Sequence, residues 1–266
     1  PFYLLRVSSL REMAPASQSQ KLAAGFVAGA AASSLLAPIV QTIDVAVVKV
    51  AASAGKEKLG PALLQGAMAW ARDPVAQIRN MAFQLTWMVY FLTYGSANTV
   101  KTICARLKRD STLPNLFLVT LVNMAASMYK DAALAKANKK QSDEKPRPFP
   151  LLSFLLFFVR DVLTIGSGFV MPPKVTALLT SIGISAAGAG FGSQLLCPAG
   201  IQFVTMPFHF FSLDVYNFES SGFAERWARM AAAYRNVTSI RVLRGLASFG
   251  LGGVSNTRCM QLMDAA

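Results

Sequence analysis

Three stretches of this chain, Leu22 to Ile43, Asn80 to Val100 and Ser111 to Tyr129, run without one Asp, Glu, Lys, Arg or His. As helices, each is long enough to cross a hydrocarbon core of roughly 30 Å. The period-two alternation of an outer-membrane barrel is missing, and so is the polar face that a soluble amphipathic helix needs. Inside a bilayer every backbone polar group must be satisfied by the chain itself, so the pattern predicts an all-α membrane protein. The first span covers about Lys21 to Val50, where Gly25, Gly29 and Ser33 form a row that lets another helix approach closely. Pro38 breaks the hydrogen-bond ladder inside it and predicts a kink. The second span runs from Arg79 to Val100 and the third from Leu113 to Ala137. The fourth, Phe149 to Met171, is closed by Pro172 and Pro173. Gly183, Gly188, Gly190 and Gly192 point to a loop before the fifth, Phe191 to Asn217, which Pro198 and Pro207 should bend. The sixth, Thr238 to Met260, has a glycine-rich centre bracketed by Arg241, Arg244 and Arg258. Two short amphipathic surface helices, Gly60 to Ala71 and Gly222 to Asn236, complete a plan of six transmembrane helices in three hairpins.

Charge orients these elements. The chain is 53% hydrophobic and 15% charged, with a net charge of +13. Lys56, Lys58 and Arg72, then Lys136, Lys139, Lys140, Lys145 and Arg147, then Arg226, Arg229 and Arg235 fall in the odd-to-even connections. That excess places those connections on the positive-inside face and both termini on the other. Lys136 to Pro150, with three prolines, reads as a solvated linker. Basic charge distributed among loops, rather than along one face, argues against nucleic acid as a partner. Cys104, Cys197 and Cys259 are widely spaced in or beside apolar stretches, and His209 is the only histidine, so a disulfide framework, a metal site and a cofactor are not expected. No phosphate loop or nucleophile-and-base spacing points to an enzyme. Residues 1–20 hold Arg6, Arg11 and several serines against Glu12, which suits a mitochondrial presequence remnant and a plain exposed tail equally.

Ionisable groups at membrane depth cost at least a few kcal/mol unless paired or hydrated. Arg160 with Asp161 is the candidate substrate-binding pair, because an arginine fork suits a carboxylate or phosphate. The same pair can equally tie helices together. Asp44 and Asp214 read first as structural charges near helix ends, and His209 as an interhelical hydrogen-bonder. Tyr90, Phe91 and Tyr94 read as packing residues. Arg79, Arg244 and Gly245, with Trp70 and Trp227 nearby in the plan, suit either cardiolipin headgroups or ordinary interfacial anchoring.

The stretches LAAGFVAGAAASSLLAPIVQTIDVAVVKV, FFVRDVLTIGSGFVMPP, CPAGIQFVTMPFHFFSLDVYN, FAERWARM and RGLASFGLGGVSNTR, set in three hairpins with kinked odd spans, resemble the mitochondrial carrier family, most of all divergent members known from fungi. The resemblance implies an N-terminal tail at 1–20 and carrier-like repeats at 21–109, 110–174 and 175–266. It makes Pro38, Asp44, Lys130, Pro207 and His209 remnants of the family's gate motif. Departures are plain: Val40, Ile43, Val47, Ala125, Ser127 and Ser212 stand where the motif's proline, acids and bases belong. A complete salt-bridge ring is therefore not expected. The resemblance thus implies a degenerate carrier of the mitochondrial inner membrane, serving as an accessory or structural subunit of a larger assembly, with cardiolipin and other inner-membrane subunits as partners. The alternative is an active solute carrier that exchanges a small anionic metabolite by alternating access, with Arg160 and Asp161 at its centre.

Overall fold

The computed structural model describes residues 17–52, 58–138, 150–217 and 220–264. Arg6, Arg11, Lys56 and most of the basic linker lie outside them. Among the described residues the structure is helical throughout, with no strand. Helices α1 (Gln18–Ala52), α2 (Leu59–Arg72), α3 (Pro74–Arg79) and α4 (Met81–Arg106) come first. The short α5 (Thr112–Pro114) passes through a π turn at Asn115–Val119 into α6 (Thr120–Asn138). In the same way α7 (Leu151–Ile165) passes through Gly166–Val170 into α8 (Met171–Ser181). After α9 (Ala186–Asn217), α10 (Phe223–Gly245) passes through Leu246–Leu251 into α11 (Gly252–Asp264).

These units close a ring. α1 packs along α4, α4 on α6, α6 on α7, α7 and α8 on α9, α9 on α10, and α11 returns to α1. The start of α1, the α8–α9 turn and the end of α11 share one end, and α2 with the α9–α10 turn lies at the other. Between them sits a packed waist of Leu36, Tyr90, Tyr94, Val119, Ile165 and Phe249, all buried. Phe169 packs edge-on to Tyr94 (5.5 Å) and to Phe249 (5.9 Å). The predicted small-residue row makes a close seam: a Cβ on Gly29 would lie 3.0 Å from the main-chain nitrogen of Gly95 on α4.

Four stretches, Gln18–Ala46, Thr112–Lys130, Leu151–Ser181 and Ala186–Val215, are long and apolar enough to span a membrane. The expectation of six spans is thereby corrected. α4 and α10–α11 fall short because they carry polar residues, and these point inward: Thr86, Thr93 and Asn98 on one, Ser248 and Asn256 on the other, are buried. Among the described residues, π turns interrupt the third, fourth and sixth of the predicted units and none of the others. Pro172 and Pro173 open α8 rather than closing a span, because the first turn of a helix tolerates a missing N–H. The expected glycine-rich loop shrinks to a turn around Gly183, whose φ of +96° suits glycine, while Gly188, Gly190 and Gly192 lie inside α9. Likewise, the second surface helix and the last span are one continuous helix across residue 237.

The Gly29 seam gives a direct test. Gly29→Val drives a branched side chain into the α4 backbone and should cost roughly 1–3 kcal/mol, as overpacking usually does. Gly200→Ala, whose Cβ meets nothing within 4 Å, should leave thermal unfolding in detergent unchanged. Equal effects of the two substitutions would contradict the seam.

Candidate functional site

At the end of the ring that holds the start of α1, a cavity of about 480 Å³ descends between α4, α8, α9 and α11. That volume is within the range of small-molecule sites. Tyr94, Gly168 and Phe169 form its floor at the waist, and Gln194 and Asn256 line its walls. Lys101 and Arg258 reach the cavity from exposed positions on α4 and α11. The Lys101 ammonium lies 5.9 Å from the centre of the Phe169 ring. A second basin shares Lys101 and adds Lys21 and Arg106. Neither lining contains an Asp or Glu among the described residues, so the rim is basic.

The floor is shaped by π turns. Widening a helical turn releases main-chain carbonyls from their usual i+4 partners, and such bulges recur at functional sites. Gln194 answers two of them: its Nε2 donates to the carbonyl oxygens of Gly168 (3.1 Å) and Phe249 (2.9 Å). The Tyr94 hydroxyl donates to the Ser248 carbonyl at 2.7 Å. A Cβ at 168 would stand 3.1 Å from the Phe249 side chain, and one at 253 would overlap the Gln194 amide and displace it. Beside the cavity Asn98 and Asn256 exchange amide hydrogen bonds at 2.8 and 3.0 Å. Asn98 also donates to the Gly25 carbonyl, which ties α1, α4 and α11 together.

Below the waist the predicted ionisable residues gather. Asp44 accepts a hydrogen bond from Arg244 Nε at 3.0 Å and lies 3.7 Å from Lys130 Nζ, linking α1, α6 and α10. Arg160 pairs with buried Asp161 at 3.1 Å and stacks on Phe157, whose ring packs edge-on to His209. Asp214 receives Arg226 and Arg229 at 2.7 Å each, which joins α9 to α10. That carboxylate raises the pKa of the Arg229 guanidinium above its ordinary value. Pro38 and Pro207 lie inside α1 and α9. Arg79 is exposed at the end of α3, whereas Gly245 is buried where a Cβ would stand 2.7 Å from the Pro198 carbonyl oxygen. Sequence reasoning missed Lys101, Gln194, Asn256 and Arg258. A signal existed for the two amides: a lone amide inside an apolar run must find a partner.

A helical membrane bundle with a one-sided cavity, a packed waist and ion pairs beyond it is built as a transporter is built. The chain matches the family of probable citrulline exporters over residues 28–263, and it belongs to that family. No curated protein and no solved structure matches it. Membership overturns the resemblance to mitochondrial carriers and favours solute transport over an accessory or structural role. It speaks for a transporter rather than an enzyme.

Breaking the Asp44 cluster checks its place in the fold. Asp44→Asn should lower stability by roughly 1–3 kcal/mol, between the values for exposed and buried pairs. Adding Lys130→Gln should cost less than the sum of the single losses, because the partners are coupled. Strict additivity in thermal unfolding would contradict a shared ion pair.

Proposed function

We propose that this protein exports citrulline, or an amino acid of closely similar shape and charge, by alternating access, and that the cavity is its binding site. The observation that carries the reading is a basic-rimmed cavity that stops at the aromatic waist and is lined by amides rather than carboxylates. Citrulline is a zwitterion with a neutral ureido group. Lys101 and Arg258 supply cations for its carboxylate, and Gln194, with Nε2 already donating, offers its amide oxygen to the ureido N–H groups. Its ammonium is served by the faces of Tyr94 and Phe169, which lie beside released main-chain carbonyls. Arg160 and Asp161 then belong to the closed end, where they and the Asp44 cluster must part for the cavity to open on the other side. We keep an inner mitochondrial membrane as the proposed location, with the basic connections on its matrix side.

The test is uptake of labelled citrulline into liposomes holding the purified protein. Wild type should show saturable flux. Lys101→Gln and Arg258→Gln should each raise the half-saturation concentration by about three- to tenfold, less than loss of a fully buried charge-assisted bond would give. Gln194→Leu, which removes the ureido acceptor and leaves two floor carbonyls unanswered, should raise the half-saturation concentration and also lower the maximal rate. Absence of saturable citrulline flux from the folded wild type would overturn the proposal.

A further inference from the structure

Two amides on the cavity wall have their polarity fixed by the fold. Both N–H groups of Gln194 are spent on the carbonyls of Gly168 and Phe249, so its Oε1, which has no partner among the described residues, can only accept. Asn256 lines the same cavity and is 4% exposed. Its orientation is set by its neighbour: Asn98 Nδ2 donates to the Gly25 carbonyl and to Asn256 Oδ1, which leaves Asn98 Oδ1 to accept from Asn256 Nδ2 at 3.0 Å. An amide nitrogen carries two N–H groups. Asn98 takes one of those on Asn256, and the other has no acceptor among the described residues. A buried N–H left without an acceptor costs roughly 1–3 kcal/mol, which a ligand carrying an acceptor removes. The two amides are also neighbours. Gly253 lies against the Gln194 amide, and Asn256 follows it by three residues on α11, one helical turn along the same face.

We infer that Asn256 determines the specificity of the cavity: its unused N–H donates to a carbonyl oxygen on the solute's side chain, while Gln194 Oε1 accepts from an N–H of that same side chain. The inference rests on the reading of the cavity as the solute site. One donor beside one acceptor selects a neutral side chain that carries N–H and C=O together, a ureide or a carboxamide. Arginine is the sharpest comparison, because it has the shape of citrulline with a nitrogen in place of the ureido oxygen and offers donors only. Its guanidinium would set N–H against the N–H of Asn256, near the cations of Lys101 and Arg258, with no Asp or Glu among the lining residues. A site built to hydrogen-bond one group of a solute rejects the analogue that lacks it, since the site's own polar group is then left unpaired. Lys101 and Arg258 also oppose a cationic side chain. They cannot tell citrulline from a neutral analogue with a weaker acceptor in place of its oxygen, whereas Asn256 can.

Full-length protein in detergent is titrated calorimetrically with citrulline, with thiocitrulline, in which sulfur replaces the ureido oxygen, and with arginine. Wild type should bind thiocitrulline about three- to tenfold, and arginine at least about tenfold, more weakly than citrulline. Asn98→Leu combined with Asn256→Leu replaces both members of the buried amide pair by apolar groups of similar shape, a change close to neutral for folding. In that variant citrulline should weaken to the level of thiocitrulline. Arg258→Gln should weaken both ligands alike and keep the gap between them. Equal binding of citrulline and thiocitrulline by wild type, a gap that survives in the leucine pair, or arginine bound as tightly as citrulline would each overturn the role of Asn256. Flux of labelled citrulline into liposomes separates this inference from the export reading. The expected binding pattern without flux would leave Asn256 in its role and remove export, flux without the gap would do the reverse, and no binding of citrulline by wild type would overturn both.

Discussion

The side-chain amide of Gln194 reaches two main-chain carbonyls at once, Gly168 at 3.1 Å and Phe249 at 2.9 Å, and the shape of the cavity depends on that double bond. In a bilayer a widened helical turn is tolerated only if the carbonyls it frees find donors within the protein. Gln194 supplies one donor group and Tyr94 another, through its 2.7 Å bond to Ser248. Their reach fixes how closely α9 approaches the π turns and how closely these approach each other. Gly168 and Gly253 are then constrained to stay small, since a side chain at either would displace Phe249 or the amide itself. Polar satisfaction, rather than apolar burial, therefore sets the floor of the cavity.

The same constraint links the two ends of the molecule. α10 carries Arg241 and Arg244 at the closed end, and α11 carries Asn256 and Arg258 at the cavity. The π turn Leu246–Leu251 lies between them, held by the Ser248 hydroxyl donating to the Arg244 carbonyl and by Tyr94 donating to the Ser248 carbonyl. In the proposed cycle, a break in the helix at that point would let Arg244 and the cavity residues move as separate pieces while the waist remains packed. Ion pairs at the closed end suit a gate. Partly hydrated pairs such as Asp44 with Arg244 are weak enough to part, and they re-form with defined partners.

Much of the helical plan was legible in the sequence. Uncharged runs marked the spans around α1 and α6, the Gly25–Gly29–Ser33 row marked the seam with α4, and Leu59–Arg72 formed as a short surface helix as expected. Hydropathy failed where helices bury polarity against each other: the face of α4 that carries Thr93 and Asn98 points into the bundle, and that buried polarity lowers its mean hydropathy. The π turns at Gly166–Val170 and Leu246–Leu251 left no local mark, because their carbonyls are met by partners distant in sequence, Gln194 and Tyr94. Of the site, the ionisable residues below the waist drew notice because charge is conspicuous in an apolar chain. The cavity went unseen because Lys101 and Arg258 occupy exposed positions, where a cation calls for no partner. The carrier resemblance misled for a related reason. Kinked helices and basic connections are demands of any membrane bundle, and the gate spacings that would have been specific were the ones missing at Val40, Ile43, Ser127 and Ser212.

Alternating access is the central claim, and locking the closed end tests it most directly. Asp44→Cys and Arg244→Cys, introduced together after Cys104, Cys197 and Cys259 are replaced by alanine, put two thiols where the side chains now meet at 3.0 Å. In liposomes, citrulline flux of this variant is measured in the reduced state, after bridging with a short bifunctional thiol reagent, and after release of the bridge. Alternating access through this gate predicts flux in the reduced state, its loss on bridging and its return on release. Undiminished flux through the bridged protein would contradict it.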